Sequence, residues 1–218
     1  MPKCYAVLLL PAALAAQLAR TVPVDNQYVQ VVDVVDPPHS KGPLHDHKLN
    51  RVMVYLGKCD TRLTEPGGRV DQQHWKFGDV AWSPAGGPHV SENPNDQPCR
   101  IIEIELKAGA GRRPVAPGVL DAVKVDPKHY KVLLENEHVR VLRATYGPGE
   151  TGAVHQHDLD RVVVFLTDSE LQVSGADGQK QTLRTKPGQV SWGTFAKHQE
   201  HNAGSGPFDV IAVELKYR

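Results

Sequence analysis

Residues 45–56 read HDHKLNRVMVYL, and residues 155–166 read HQHDLDRVVVFL, the same pattern 110 positions later. Each copy places two histidines at i and i+2, a spacing that on an extended strand points both rings to one face. Each then has an arginine, Arg51 or Arg161, four residues after the second histidine, followed by an apolar run without alternation. Such a run fits a strand covered on both faces, one lining a barrel and the other packed on a neighbouring sheet or subunit. Surface histidines on polar strands produce His-x-His by chance. A duplicated pair in register marks paired sites.

The repeat extends outward from these stretches. Asn26, Val29 and Val31 meet Asn136, Val139 and Val141; Pro38 and Gly42 meet Pro148 and Gly152. Gly68 meets Gly178, and Gly78, Val80 and Trp82 meet Gly188, Val190 and Trp192. One deletion brings His89 and Asn93 onto His198 and Asn202, and the halves close alike, with Glu105 against Glu214. The repeat therefore divides the 218 residues into two small domains. Short Val/Ile-rich runs, 19 glycines and 17 prolines read as a turn-rich all-β protein with seven to nine strands per half. Helix is confined to one turn starting at Asp126-Pro127-Lys128. Trp82 and Trp192 read as core residues.

The expected boundaries are an export signal at 1–20, a first barrel at 25–107, a linker at 108–118 rich in Gly, Pro and small residues, and a second barrel at 119–218. The signal reading rests on Lys3, the apolar stretch 5–16 and small residues after it; an amphipathic helix against the barrel is its alternative. The protein is then periplasmic or secreted, or cytoplasmic if residues 1–20 are not a signal. Lys plus Arg and Asp plus Glu balance at 25 each, which gives no electrostatic footprint for nucleic acid, and nothing suggests membrane insertion after processing. Cys59 and Cys99 have Ser169 and Phe208 at the matching places. They can pair in an oxidising compartment, but two buried free thiols are the expectation.

Residues 78–93, GDVAWSPAGGPHVSEN, fit G-x5-P-x-G-x2-H-x3-N at every fixed position. That is the second signature of the cupin superfamily, and the His-x-His stretches resemble its first, which Gly149 also fits, with His39 at the corresponding place in the first half. The resemblance covers nearly all of residues 25–216 and implies two tandem cupin barrels of jelly-roll type, a bicupin. The second half also resembles small one-domain bacterial cupins. The resemblance further implies one divalent metal per barrel, held by His45, His47 and His89 in site 1 and by His155, His157 and His198 in site 2. Imidazole donors suit Fe(II) first, and Ni, Zn, Mn or Cu as alternatives.

The glutamate usual in the first signature is missing from both halves, and Arg51 and Arg161 stand in its place. Three accounts follow: a three-histidine site of the kind found in some cupin dioxygenases, an arginine turned away into a salt bridge, or loss of metal. The functional expectation is a mononuclear non-haem metal enzyme, dioxygenase-like, acting on a small organic acid, with Arg51 and Arg161 as anion clamps. The alternative is a non-catalytic module that binds a small anion or sugar acid with vestigial metal sites, or that only forms a homodimer. Two ion pairs are expected, Arg51 with Glu105 and Arg161 with Glu214. The complete second motif makes site 1 the expected better-formed site, while Asp158, Asp160 and His201 surround site 2.

Overall fold

The computed structural model describes residues 19–107 and 116–216. All but the last two residues of the expected export signal, and most of the expected linker, lie outside the described residues. The first half runs β1 (Ala19–Asp25), β2 (Val29–Asp36), β3 (His45–His47), β4 (Arg51–Tyr55), β5 (Cys59–Thr64), β6 (Val70–Trp75), β7 (Val80–Ser83), β8 (Gly86–Glu92) and β9 (Cys99–Leu106). The second half opens with a short helix, α1 (Ala122–Val125), and repeats the strands. These are β10 (Tyr130–Glu135), β11 (Val139–Tyr146), β12 (His155–His157), β13 (Arg161–Phe165), β14 (Ser169–Gly175), β15 (Lys180–Thr185), β16 (Val190–Gly193), β17 (Ala196–Asn202) and β18 (Phe208–Leu215). β1 begins upstream of the expected start at residue 25. The helix lies just before Asp126-Pro127-Lys128 rather than on it: Asp126, at φ −134° and ψ 57°, closes the turn, as the residue preceding a proline disfavours helical geometry.

Each half makes one five-stranded and one four-stranded antiparallel sheet with the same strand order. The orders are β1-β2-β9-β4-β7 and β3-β8-β5-β6 in the first half, β10-β11-β18-β13-β16 and β12-β17-β14-β15 in the second. The architecture is two tandem jelly-roll barrels, as the resemblance implied. β4 is buried at all five positions. Its Arg51, Met53 and Tyr55 line a cavity inside the first barrel, while Val52 and Val54 enter an apolar core shared with the second barrel. β13 does the same, with Arg161, Val163 and Phe165 inward and Val162 and Val164 in the shared core. The missing alternation thus has its cause: one face sees the barrel and the other sees its repeat.

The contact between halves is reciprocal. Tyr28 stacks on Trp192 at 5.8 Å and Trp82 on His138 at 5.3 Å; these are equivalent positions exchanged between halves. Arg100 pairs with Asp33 in the first barrel and Arg143 with Asp209 in the second, the same cross-strand pair with its charges swapped. Gly78 and Gly188 sit at positive φ, and a Cβ on either would lie within 3.3 Å of an arginine of the other half, Arg143 or Arg100. Both turns therefore need glycine twice, for backbone conformation and for close approach.

Cys59 and Cys99 are joined in a disulfide between β5 and β9, tying the two sheets of the first barrel together. This corrects the expectation of free thiols: the fold brings their Cα atoms to 5.1 Å, inside the range a bridge requires. In the second barrel Phe208 packs near Tyr146 and Phe165, and Ser169 hydrogen-bonds Thr185. The bridge closes a sequence separation of 40 residues, which by chain entropy stabilises by about 4 kcal/mol. Cys99→Ser is expected to lower unfolding free energy by up to that amount in denaturant titrations, and added reductant to lower the wild type alike while leaving the variant unmoved.

Candidate metal centres and the barrel cavities

β3 pairs with β8 so that His45 lies opposite His89, and β12 pairs with β17 so that His155 lies opposite His198. Period-two alternation then adds His47 and His157 on the same inward faces. In the first barrel the ring centroids of His45, His47 and His89 are 4.6 to 5.3 Å apart. In the second, those of His155, His157 and His198 are 4.6 to 5.4 Å apart. In each trio one nitrogen per ring lies within 4.8 Å of the other two.

The outer nitrogens decide which atom faces inward. Nδ1 of His45 meets the Pro43 carbonyl at 3.0 Å, that of His89 the Gly87 carbonyl at 3.3 Å, and that of His155 the Ala153 carbonyl at 3.0 Å. Nδ1 of His157 meets Glu214 Oε1 at 3.1 Å. An oxygen acceptor fixes the proton on Nδ1 and leaves Nε2 as an inward lone pair, the arrangement that orients metal-binding imidazoles. His155 Nε2 lies 3.2 Å from His157 Nε2 and 3.1 Å from the Tyr130 hydroxyl, and the Nε2 of His198 is buried with no hydrogen-bond partner. Burial holds His157 at about 4, despite its bond to Glu214, and lowers His155 and His89 as well, so these rings are neutral donors near pH 7. Imidazoles in threes fit a borderline divalent ion.

Solved structures share this fold. No protein-family model matches the chain, and no curated protein matches it. AerE from Microcystis aeruginosa is 14% identical with a TM-score of 0.66, over 94% of this chain and 96% of its own. A cupin 2 conserved barrel domain protein from Leptotrichia buccalis is 14% identical with a TM-score of 0.57, over 92% and 90%. Oxalate decarboxylase from Bacillus subtilis, a protein with Mn(II) centres, is 13% identical with a TM-score of 0.59, over 86% and 68%. These likenesses are likenesses of fold, and they carry both barrels together. The chain has the cupin fold, in its tandem two-barrel form. Its two three-histidine clusters are candidate metal sites, one inside each barrel.

The acids of this bicupin stand where the motifs do not reveal them. In the second barrel Glu200, two residues after His198 on β17, accepts hydrogen bonds from the phenols of Tyr130 at 2.7 Å and Tyr146 at 2.8 Å. Its other oxygen lies 3.5 Å from His198 Nε2. Burial works to raise this carboxyl, but the facing His198 ring and the phenols hold it below the usual carboxylate range. The first barrel has Ser91 at that position and places its acid on β9 instead, as Glu103, where the second barrel has Ala212. Same-face parity with His198 could have revealed Glu200; nothing in the repeat marked Glu103, because its partner position carries no acid.

Neither expected arginine pair forms. Arg51 lies opposite Glu105 in register, yet its Nη1 turns to Glu103 Oε2, at 3.9 Å. Arg161 lies opposite Glu214, but donates from Nη1 to the Thr194 carbonyl at 2.7 Å. The reason is competition across β18. Its other neighbour, β11, brings Arg140 to Glu214 at 2.6 to 2.7 Å, and Asp121 clamps the same guanidinium from the far side. Gln30 stands at the equivalent place in the first barrel. The chain Asp121–Arg140–Glu214–His157 is buried throughout and sets the orientation of one ring of the histidine trio.

The other expected neighbours of site 2 stay outside the trio. Asp158 accepts from the Gly118 amide and from Gln156, and His201 bonds Thr151 at 2.8 Å on the opposite face of β17; Asp160 is buried beyond the histidine cluster. Trp82 and Trp192 pack against the shared core, as expected. The two cavities differ as much as the acids do. The first, about 370 Å³, is lined by polar and aromatic groups along with its three histidines and Arg51. The second, about 170 Å³, is walled by Val163, Phe165, Leu171, Val173, Leu183 and Phe208. His155 and His157 are buried where His45 and His47 are half-exposed, so the histidines of site 2 are the more enclosed.

Two outcomes follow. Arg140→Ala strands Glu214 and Asp121 and is expected to cost about 3–5 kcal/mol in chemical denaturation. In protein loaded with two equivalents of Zn(II), a chelator is expected to remove one equivalent at least tenfold faster than the other. His47→Ala should abolish the fast phase and His157→Ala the slow one; exchange of both at one rate would refute the difference in enclosure.

Proposed function

We propose that the protein is a metal-dependent, oxygen-using enzyme acting on a small carboxylic acid in its first barrel, with the enclosed second barrel as a more tightly held centre. The observation that carries this reading is a single cavity holding three inward imidazole nitrogens and a buried guanidinium. His45, His47 and His89 would hold the ion, with Fe(II) first among Fe, Ni, Zn, Mn and Cu. The manganese of the decarboxylase with the same fold supports a divalent metal in general. A bound ion of this class supplies Lewis acidity and, for Fe(II), electrons for oxygen chemistry.

The chain's own residues do the rest. Arg51 receives the carboxylate with a planar donor set and fixes its orientation against the histidines. The stacked pair Tyr55 and Trp75, with ring centroids 4.6 Å apart, closes one wall and excludes water from the bound acid. A second cavity of about 840 Å³ shares His47, Arg51 and His89 with the first and continues to Glu65 and Arg69, giving substrate a route in. The Cys59–Cys99 bridge supports residence in an oxidising compartment, in line with an export signal.

A second reading, a non-catalytic module for a small anion, is favoured by one feature: an arginine stands where the first cupin signature has its acid. Anaerobic loading with Fe(II), followed by oxygen-electrode assays over a panel of small carboxylic acids, separates the two. Acid-dependent oxygen uptake, lost by at least a hundredfold in His47→Ala and in Arg51→Met, is expected. Acid binding without oxygen uptake under any metal would establish the module instead.

A further inference from the structure

Arg51 and Glu103 are each more than nine-tenths buried, at 7% and 8% exposure, and both face the first cavity. Nε and Nη1 of Arg51 and Oε2 of Glu103 have no hydrogen-bond partner, and their 3.9 Å approach is too long for a hydrogen bond between them. Unmet donors and an unmet acceptor this deep are costly unless a ligand completes them. A carboxylate satisfies the guanidinium. The gap between Nη1 and Oε2 asks for one group that accepts from the first and donates to the second, and a hydroxyl is the neutral group that does both.

We propose that the first barrel selects hydroxycarboxylic acids, with the carboxylate on Arg51 and a neighbouring hydroxyl between Arg51 and Glu103. This rests on the carboxylate reading above and narrows it. The remainder of the lining agrees: Thr61, Gln73, Ser83 and Ser91 offer further hydroxyl and amide partners, which suits a polyhydroxy acid. At roughly 30 Å³ per water-sized group, a cavity of about 370 Å³ takes on the order of ten non-hydrogen atoms, the range from lactate to a six-carbon sugar acid. The second barrel is the internal contrast. It has Ala212 in place of Glu103, Tyr146 in place of Asp36, and an apolar wall, so the selectivity belongs to the first barrel alone.

The test is calorimetric titration of the full chain loaded with Zn(II), which binds without turnover. Lactate and gluconate are compared with propionate and hexanoate. The hydroxy acids are expected to bind at least tenfold more tightly than their plain counterparts, and Glu103→Ala to cut that preference below threefold. The fold accommodates alanine at the equivalent place in the second barrel, and melting curves with bound-zinc content check the variant. Equal affinity for both classes, or a preference intact in Glu103→Ala, overturns the hydroxyl assignment while leaving the carboxylate reading standing. Loss of a zinc equivalent in Glu103→Ala also overturns it, by making Glu103 a metal ligand. Binding of no acid at all overturns both.

Discussion

The structure depends on two strands that are covered on both faces. β4 and β13 send alternate residues into their own barrels and into the core between barrels. A strand in that position cannot alternate polar with apolar, and it cannot slip by one residue without burying a guanidinium in the shared core and exposing valines to the cavity. Arg51 and Arg161 therefore mark register as well as chemistry. The histidine strands β3 and β12 precede them by a short turn, so fixing β4 and β13 also fixes where the trios converge.

On this common frame the two barrels have diverged by moving their charges. In the second, three ionisable groups, Asp121, Arg140 and Glu214, are used up on one another and on His157, and Glu200 is held by two phenols. Satisfied polar networks of this sort rigidify a site. In the first, the matching network is absent: Gln30 is neutral, Ser91 replaces the acid, and Arg51 and Glu103 face the cavity with unmet capacity. One barrel spends its polar groups internally and the other leaves them for a ligand. The disulfide has its place in this contrast, since it ties the sheets of the barrel that lacks the buried network.

How much was legible follows from the same contrast. The duplicated His-x-His and the in-register glycines specify two β-rich repeats, because they rest on local period and repeat symmetry, and the resemblance to the cupin signatures adds the barrel fold and both trios. Even a departure within the repeat was informative: His39 stands where the second half has Gly149, and both adopt positive φ, at 53° and 74°. The ion pairs were misassigned because pairing in a sheet is a contest. Glu214 lies between Arg140 and Arg161, and the winner is set by Asp121, which lies far away in sequence and near only in the fold.

The sequence by itself determined what alternation and duplication can encode: two β-rich repeats, a shared face for each His-x-His pair, and the burial of two strands on both sides; the barrels and the third histidine of each trio came with the resemblance to the cupin signatures. The tertiary structure alone decided what depends on the meeting of distant strands. It bonded Cys59 to Cys99, placed Glu103 beside Arg51, brought Glu200 under two tyrosines, and made one cavity larger and more polar and the other smaller and apolar. The physical reason is that a charge's partner is chosen by distance in space, and in a sheet the nearest competitor sits on a neighbouring strand that the local pattern cannot name.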